Sequence, residues 1–195
     1  MFSRKIKFSC HEDYFDQKED YPIPAVINIP EWYKKLEHSM EKMTVKGCMP
    51  FLDTLKIGYI LKVPQDILIK HSDQPFHKIL NPWNITTPAG YSCLFVPPLN
   101  NADDRFSILP GIVDTDQFNN PINFPIVLNG DKYPSQELFI KKGTPYVQII
   151  PFKRDNWKME LVPVPEKQIK KNKLFYDLTL FNKYKNKFWK RKTCK

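Results

Sequence analysis

The chain has 195 residues and a net charge of +9, with 18 prolines against six glycines. A chain of this length forms one ordinary domain with extensions, and none of its apolar stretches approaches the roughly 20 residues that a membrane span requires. The N-terminal sequence lacks the long apolar region of a signal peptide, which favours a cytoplasmic location. We therefore predict a protein with no membrane partner.

The positive charge is concentrated near the C-terminus. Residues 167–195 hold eleven Lys or Arg and one Asp, a local charge of +10, which leaves about −1 for residues 1–166. This distribution argues against a nucleic-acid-binding surface spread over the whole chain. The four cysteines are scattered without a CxxC pair, which favours reduced thiols over disulfides or a zinc site. We expect no metal and no cofactor.

Residues 1–50 are predicted to form an N-terminal arm with one short helix. The segment YPIPAVINIP (21–30) is typical of an extended, proline-punctuated chain. In PEWYKKLEHSMEKM (30–43), Pro30 suits a first helical turn, and apolar residues recur at helical spacing. We predict a short amphipathic helix in this second segment.

Residues 51–160 are predicted to form the core. Short apolar runs, several of them alternating with polar residues, are separated by turn residues and prolines. This pattern predicts a mainly β domain, a sandwich or distorted barrel of short strands, with no helix longer than about two turns. Trp83 and Trp157 are predicted to seal its ends, with base stacking as the alternative. The predicted strands lie in residues 54–63, 66–70, 91–96, 106–109, 122–129, 137–140 and 146–152.

Residues 161–195 form a basic extension. Between residues 173 and 192 a helical pattern carries lysines on one face and an apolar stripe on the other. We predict an amphipathic helix that docks its stripe on the β body and leaves the lysines solvated. Two alternatives stay open, namely binding of nucleic acid or another anionic surface, and an oligomer contact. The stripe consists of Leu174, Leu178, Phe181, Tyr184 and Phe188.

The sequence LPGIVDTDQFNNPINFPIVLN (109–129) places Asp114 and Asp116 directly after an apolar run. A carboxylate at the end of a strand can reach into a pocket. Asp is also a common turn residue that accepts hydrogen bonds from nearby backbone N–H groups. Further along the chain, Gln148 offers an amide between apolar neighbours. From the residues alone, both a ligand-facing role and a turn role remain open for the two aspartates.

Several segments resemble, in the right order, motifs of the trimeric dUTPase and dCTP deaminase superfamily. GIVDTD (111–116) resembles its G-[IV]-[IV]-D-x-D-Y motif, and residues 127–129 resemble the strand that returns from it. Residues 140–150 resemble its I-x-x-G-x-x-x-x-Q-[LI]-[IV] pattern, while IGYILKVP (57–64) and TPAGYSCLFVPP (87–98) occupy the places of earlier motifs. The resemblance spans about residues 55–152. It implies a β-clip fold, a nucleotide ligand and a homotrimer with sites between subunits.

Most residues that this superfamily uses for catalysis are replaced. Ile60 takes the place of the carboxylate that holds magnesium through water, and Pro98-Leu99 takes that of the phosphate-gripping Arg-Ser pair. Gln117 stands where a tyrosine packs on the base, and the basic extension stands in place of a glycine-rich arm. Only Asp114, the water-activating position, is kept. Phosphoryl chemistry needs cations and donors around the developing charge, so we predict that ordinary dUTPase activity is absent and that Ile60 and Leu99 are buried.

Other segments, such as IPEWYKKL (29–36) and GTPYVQIIPFKRDNWKME (143–160), resemble proteins from tailed-phage genomes that have no assigned activity. A composition rich in Lys, Asn, Ile and Phe suits an AT-rich phage genome. The resemblance implies expression in a host cytoplasm and adds no activity of its own.

Two classes of function remain open. The first is a protein of dUTPase-like fold that binds a nucleotide or another small ligand through Asp114, Asp116, Gln117 and Gln148, without metal chemistry. Asp114 would be a catalytic base only if the protein is an enzyme, since a lone carboxylate can serve when the substrate brings its own metal. The second class is a structural or host-interaction protein on the same scaffold. The fold alone cannot choose between them.

Overall fold

The computed structural model describes residues 4–70, 77–129, 137–177, 181–192 and 194. Within these ranges the chain is mainly β and built of short strands, as predicted. The strands are β1 (Lys7–Ser9), β2 (Ile23–Pro24), β3 (Tyr59–Lys62), β4 (Ile67–Lys70), β5 (His77–Ile79), β6 (Asn84–Thr86), β7 (Tyr91–Val96), β8 (Phe106–Ile108), β9 (Gly111–Val113), β10 (Phe124–Leu128), β11 (Glu137–Ile140) and β12 (Pro145–Lys153). The helices are α1 (Glu12–Phe15), α2 (Glu31–Lys35), α3 (Met49–Lys56), α4 (Glu166–Asp177) and α5 (Lys183–Lys187).

The largest sheet has five antiparallel strands in the order β2-β3-β12-β7-β9. Smaller sheets pair β5-β10-β8, β11-β4 and β1-β6. Strand β12 is central in the large sheet, between β3 and β7, and four consecutive residues, 146–149, are buried there. Strand β9 forms one edge of that sheet, so the residues after it lie at a border of the β body.

Each predicted core run overlaps an observed strand, although the first three residues of the run 54–63 belong to α3. Helix α3 has eight residues and respects the predicted limit on helix length. Ile60 is buried as predicted, since it lies on β3 between β2 and β12. Leu99 is only half-buried, which corrects the prediction. It follows two prolines in a turn beyond β7, where the body leaves one side of the residue open.

The N-terminal helix is present but short. α2 ends at Lys35, because the following loop folds on itself: the Thr44 backbone N–H donates to His38 Nδ1 (3.1 Å), and Thr44 Oγ1 donates to the Glu37 carbonyl (2.7 Å). The apolar spacing beyond residue 36 was therefore coincidental. The N-terminal arm also adds strands to two sheets through β1 and β2. The division of the chain at residues 50 and 160 stays a prediction.

The C-terminal helix is present but interrupted. α4 begins at residue 166, earlier than predicted, and α5 follows Asn182, whose left-handed φ of 55° breaks the helical path. Tyr184 and Phe188 are about half exposed and do not form a docked stripe. Leu178 and the side chain of Leu174 lie outside the described part of the chain. Phe181 of the predicted stripe does pack on the N-terminal part by stacking on His38, and the residues beyond α5 add polar contacts to Asp53.

The two tryptophans that were predicted to seal the barrel behave differently. Trp83 is buried and meets the rings of Tyr14 and Tyr21 edge to face. Trp157 is 92% exposed, so its predicted sealing role is wrong. It lies beyond the last residue of β12, where none of the described strands covers it. Among the described helices, none is long and apolar enough to cross a membrane.

Candidate functional site

The two aspartates of the GIVDTD segment lie in a turn that begins where β9 ends. The Asp114 carbonyl accepts hydrogen bonds from the backbone N–H groups of Gln117 and Phe118, both at 2.9 Å. Between the aspartates, Thr115 is completely buried, and its Oγ1 lies 2.7 Å from Thr87 Oγ1. Burial of the middle residue anchors the turn and sets both carboxylates at the edge of the sheet. The two aspartates therefore lie in a turn, and their ligand-facing role stays a prediction.

Arg154 follows β12 directly and joins the two aspartates. Its backbone N–H donates to the Gly90 carbonyl, which holds the residue beside the β7 end of the sheet. Its guanidinium donates through Nη1 and Nη2 to both carboxylate oxygens of Asp116, and Nη1 also donates to Asp114 Oδ1 at 3.2 Å. Ser92 Oγ donates to the same Asp114 oxygen at 2.6 Å. We call Ser92, Asp114, Asp116 and Arg154 the Arg154 cluster.

The two carboxylates of the cluster differ in exposure. The Asp116 side chain is 2% exposed and also accepts from the Gly90 backbone N–H at 2.8 Å. The Asp114 side chain is 63% exposed, and its Oδ2 takes no part in the contacts of the cluster. Asp116 is thus a structural anchor for the arginine. Asp114 can still meet a molecule from solvent.

Hydrogen bonds from the Arg154 guanidinium, and then from the Gly90 N–H, lower the pKa of Asp116 to about 2. Asp116 in turn raises the pKa of Arg154. Both groups are therefore charged at every physiological pH, and the pair is a fixed salt bridge with bidentate geometry.

The depressed pKa of Asp116 predicts an acid-dependent stability contribution. A free Asp titrates near pH 3.9, so the contribution is fully present above about pH 4 and is lost as the pH falls through about 2. Thermal unfolding of Asp116→Asn should start below that of the wild type at pH 7, and the difference should shrink as the pH falls below 4. Asp155→Asn, which loses a half-exposed pair with Lys153, is the matched control and should show little difference at any pH. A difference for Asp116→Asn that does not change with pH would contradict this account.

A cavity of about 530 Å³ lies beside the cluster. Its lining includes the cations Arg4, Lys5 and Lys7 and the rings of Tyr59 and Tyr91, and no acidic residue of the described ranges contributes to it. The two features adjoin at Tyr91, whose carbonyl also accepts from Arg154 Nη1 at 3.2 Å. The Arg4 guanidinium lies over the Tyr91 ring, 5.1 Å from its centre. We call this the N-terminal cavity.

The structure does not bring Gln148 to the cluster. Its Oε1 accepts from the Leu99 backbone N–H at 2.7 Å, and its Nε2 donates to the carbonyls of Thr54 and Ile57 at 2.9 and 2.7 Å. β12 places it opposite Val96, four residues and therefore about 13 Å along β7 from Ser92. The prediction that Gln148 joins the aspartates is corrected, because its amide ties α3 to the turn after β7. Gln117 does adjoin the aspartates, with its side chain exposed.

The residues of the cluster do not fit a magnesium ion. Both aspartates already share the charge of one guanidinium. Within the described ranges, no group of three or more His, Cys, Asp or Glu residues is arranged to hold a metal. A divalent cation held by both aspartates would have to displace Arg154 from Asp116, whose side chain is almost completely buried.

Sequence reasoning missed Arg154, Ser92 and the basic residues of the N-terminus. Arg154 lies 38 residues beyond Asp116, and only the pairing of β12 with β7, and of β7 with β9, brings them together. A buried carboxylate needs a cationic partner. That requirement is the one signal from which an arginine at a strand end could have been predicted.

Comparison with known proteins finds similarity at the level of the fold. No protein-family model and no curated protein matches this sequence. Among solved structures, the dUTPase of EIAV matches 55% of this chain and 88% of its own, with 20% identity and a TM-score of 0.41. A mutant dUTPase from phage phi11 of S. aureus matches 83% and 99%, with 11% identity and a TM-score of 0.44. A mutant Staphylococcus bacteriophage 80alpha dUTPase with dUpNHpp matches 83% and 90%, with 12% identity and a TM-score of 0.46.

The structural neighbours are dUTPases. With TM-scores below 0.5 and identities of 20% or less, these matches assign no function to this chain, and its function has to be argued from its own contacts.

Proposed function

We propose that the protein binds a nucleotide or a related small anionic ligand at the Arg154 cluster and the adjoining N-terminal cavity, without the magnesium-dependent hydrolysis of a dUTPase. The observation that carries the proposal is the guanidinium of Arg154, which bonds both aspartates of the GIVDTD turn. A cation of the chain itself occupies the place where metal chemistry would need free carboxylates.

The cluster presents a donor and an acceptor side by side. The Asp114 side chain is 63% exposed and accepts, while the Arg154 side chain is 38% exposed and donates. A ligand that carries a hydroxyl or amide beside an anionic group satisfies both. Such a pairing gives orientation, because the two contacts select different atoms of one molecule.

The N-terminal cavity supplies the rest of the proposed site. Its volume lies within the range of about 300–1,000 Å³ typical of small-ligand pockets. The three cations of its lining attract a phosphate, and the ring of Tyr59 adds an aromatic surface, while one face of the Tyr91 ring is already covered by Arg4. Charge and ring together fit a nucleotide better than an inorganic anion.

The same contacts argue against ordinary dUTPase catalysis. Pro98-Leu99 supplies neither a cation nor a side-chain donor, and Gln148 is engaged within the chain. Asp114 is the one retained residue that could act as a general base. It could do so only for a substrate that arrives with its own metal.

Ligand binding can be tested by thermal unfolding with dUMP, dUTP, dCTP, ATP and cyclic nucleotides. A ligand present at 100 times its Kd stabilises the folded state by about 2.7 kcal/mol, which is easily measured. We expect Asp114→Asn and the double variant Arg4→Gln/Lys7→Gln each to weaken binding about tenfold or more. Lys18→Gln/Lys78→Gln removes two exposed lysines that do not line the cavity and is the charge-matched control for the double variant, which should bind like the wild type. If no nucleotide shifts the unfolding temperature, or if all variants bind equally, the proposal is wrong.

A second candidate function, as a structural or host-interaction protein, is favoured by the segment beyond Arg154. Trp157, Met159 and Leu161 alternate with Lys158 and Glu160 and are 82–92% exposed, as an unpaired strand would be. Large apolar side chains at such exposure mark an interaction surface. We propose that this segment joins copies of the chain in a homo-oligomer such as a trimer.

The oligomer can be tested by sedimentation velocity. We expect the wild type to self-associate and the triple variant Trp157→Ser/Met159→Ser/Leu161→Ser to sediment as a monomer with an unchanged unfolding temperature at low concentration. Replacing Val162 and Val164, which lie outside the strict alternation, is the matched control and should have the smaller effect. A wild type that stays monomeric at high concentration would exclude the proposal.

A further inference from the structure

The C-terminal segment is fastened to the N-terminal part of the chain by directed contacts. The indole Nε1 of Trp189 donates to both carboxylate oxygens of Asp53, at 3.0 and 3.1 Å, and Lys192 Nζ lies 2.6 Å from the same carboxylate. The Gly58 backbone N–H donates to Cys194 Sγ at 3.2 Å. Asp53 is 15% exposed, so its pairing with two residues of the extension fixes the position of that extension.

A cleft of about 860 Å³ remains between the two segments. We call it the C-terminal cleft. One wall comes from α2 and the loop after it, and the other comes from α5 and its flanking residues. Its lining includes Tyr33, His38, Lys46, Phe181, Lys185 and Trp189.

The aromatic rings of the cleft are held in place before any ligand arrives. Phe181 stacks on His38, with ring centres 5.1 Å apart and planes 11° apart. His38 can lie there because Gly47 adjoins it: a Cβ on Gly47 would come within 2.3 Å of the imidazole. Tyr33 stacks on Phe51 at 5.8 Å, and Trp189 is held by Asp53. Fixed rings lose little entropy when a planar group stacks on them.

The charge of the cleft is positive. Three lysines, Lys35, Lys46 and Lys185, line it against the single acid Glu37. Glu37 already pairs with Lys42 at 3.1 Å, and among the described side chains none of the three lysines forms an ion pair with an acid. The cleft therefore favours an anion.

Aromatic rings and lysines also line the face of α5 outside the cleft. Tyr184 and Phe188 are 47% and 55% exposed, and the extension that carries them has a charge of +10. Rings that alternate with cations over this length match successive bases and phosphates of one strand. A free nucleotide would use only the cleft.

We propose that the C-terminal cleft and the adjoining face of α5 bind single-stranded nucleic acid, with one base seated in the cleft and phosphates on Lys35 and Lys185. This site is separate from the Arg154 cluster and the N-terminal cavity. It does not depend on the ligand proposed there.

The test measures fluorescence anisotropy of a labelled 12-nucleotide oligo-dT against the full chain at several salt concentrations. Lys35→Gln/Lys185→Gln should weaken binding at least tenfold and lower the slope of log K against log salt by about 1.4, because each phosphate contact on a single strand contributes about 0.7. Lys170→Gln/Lys171→Gln removes the same charge from α4, outside the cleft, and should change the affinity by less than about threefold. Asp114→Asn should leave it unchanged.

Three results would overturn the inference. The first is an equal loss of affinity in both double-lysine variants, since only the net charge of the extension would then matter. The second is equal or tighter binding of a 12-base-pair duplex, whose bases cannot stack on the rings. The third is competition by dTMP at the same nucleotide concentration, which would assign the cleft to a free nucleotide. Unfolding temperatures within a few degrees of the wild type confirm that each variant is folded.

Discussion

Replacing Gln148 by Leu is expected to destabilise the fold by about 2–4 kcal/mol, because it leaves three partly buried backbone groups without their partner. The Leu99 N–H and the carbonyls of Thr54 and Ile57 all lose their partner, and Gln148 itself is only 1% exposed. Leu has a similar size, so the loss measures the hydrogen bonds rather than a cavity. Chemical denaturation of both proteins gives the difference directly.

Gln117→Leu is the matched control for this prediction. Both glutamines were predicted to bind a ligand, and the two substitutions are chemically identical, but Gln117 is exposed in the turn after β9. Its replacement should change the free energy of unfolding by less than about 0.5 kcal/mol. Equal effects of the two substitutions would show that the contacts of Gln148 do not hold α3 to the sheet.

Gly58→Ala should be the most damaging alanine substitution among the five glycines that the structure describes. Gly58 has a φ of +78°, and a Cβ there would lie 1.9 Å from the Ile149 carbonyl oxygen. That oxygen belongs to the central strand β12, so relief requires movement of backbone rather than of a side chain. We expect a loss of more than about 3 kcal/mol, or failure to fold.

Gly90→Ala separates the cost of a left-handed backbone conformation from the cost of a steric clash. Gly90 has a nearly identical φ of +81°, but a Cβ there meets nothing within 4 Å. Its expected cost is the left-handed conformation alone, about 1–2 kcal/mol. Comparable unfolding free energies for the two variants would mean that β3 and β12 can separate at Gly58 without penalty.

The strands of the core could be predicted from the sequence because each is a short apolar run between turn residues. β7 matches its predicted run at both ends, and β11 does too. Short elements without such a run, including β1 and β6, were missed because their pairing partners lie far along the chain. Helix α3 was missed because its last residues continue into an apolar run that reads as strand.

The ends of the helices could not be predicted from the apolar periodicity, because they are set by loop contacts and backbone conformation. α2 stops at Lys35 because His38 and Thr44 close the next loop. The C-terminal helix breaks before α5 at Asn182, a residue type that tolerates a positive φ. Docking through Trp189 and Asp53 is a polar contact, which an apolar stripe does not predict.

The candidate site could be predicted only in part. Asp114 and Asp116 could be identified because they directly follow an apolar run. A carboxylate so close to the core needs a hydrogen-bond or charge partner. Arg154 could not be identified, since its pairing depends on strand order. Gln148 matched a motif, but its amide is hydrogen-bonded to backbone groups of α3 and of the turn after β7. At Gln148, therefore, a match to a sequence motif did not predict the position of the side chain.

The proposal that an anionic ligand binds beside Arg154 without a metal depends on whether magnesium changes the affinity for that ligand. The most direct measurement is calorimetric titration with dUTP in magnesium and in EDTA, with pyrophosphate release followed in parallel. We predict the same Kd in both buffers, weaker binding by Asp114→Asn, and no pyrophosphate above the buffer rate. Magnesium-dependent release of pyrophosphate that Asp114→Asn abolishes would contradict the account.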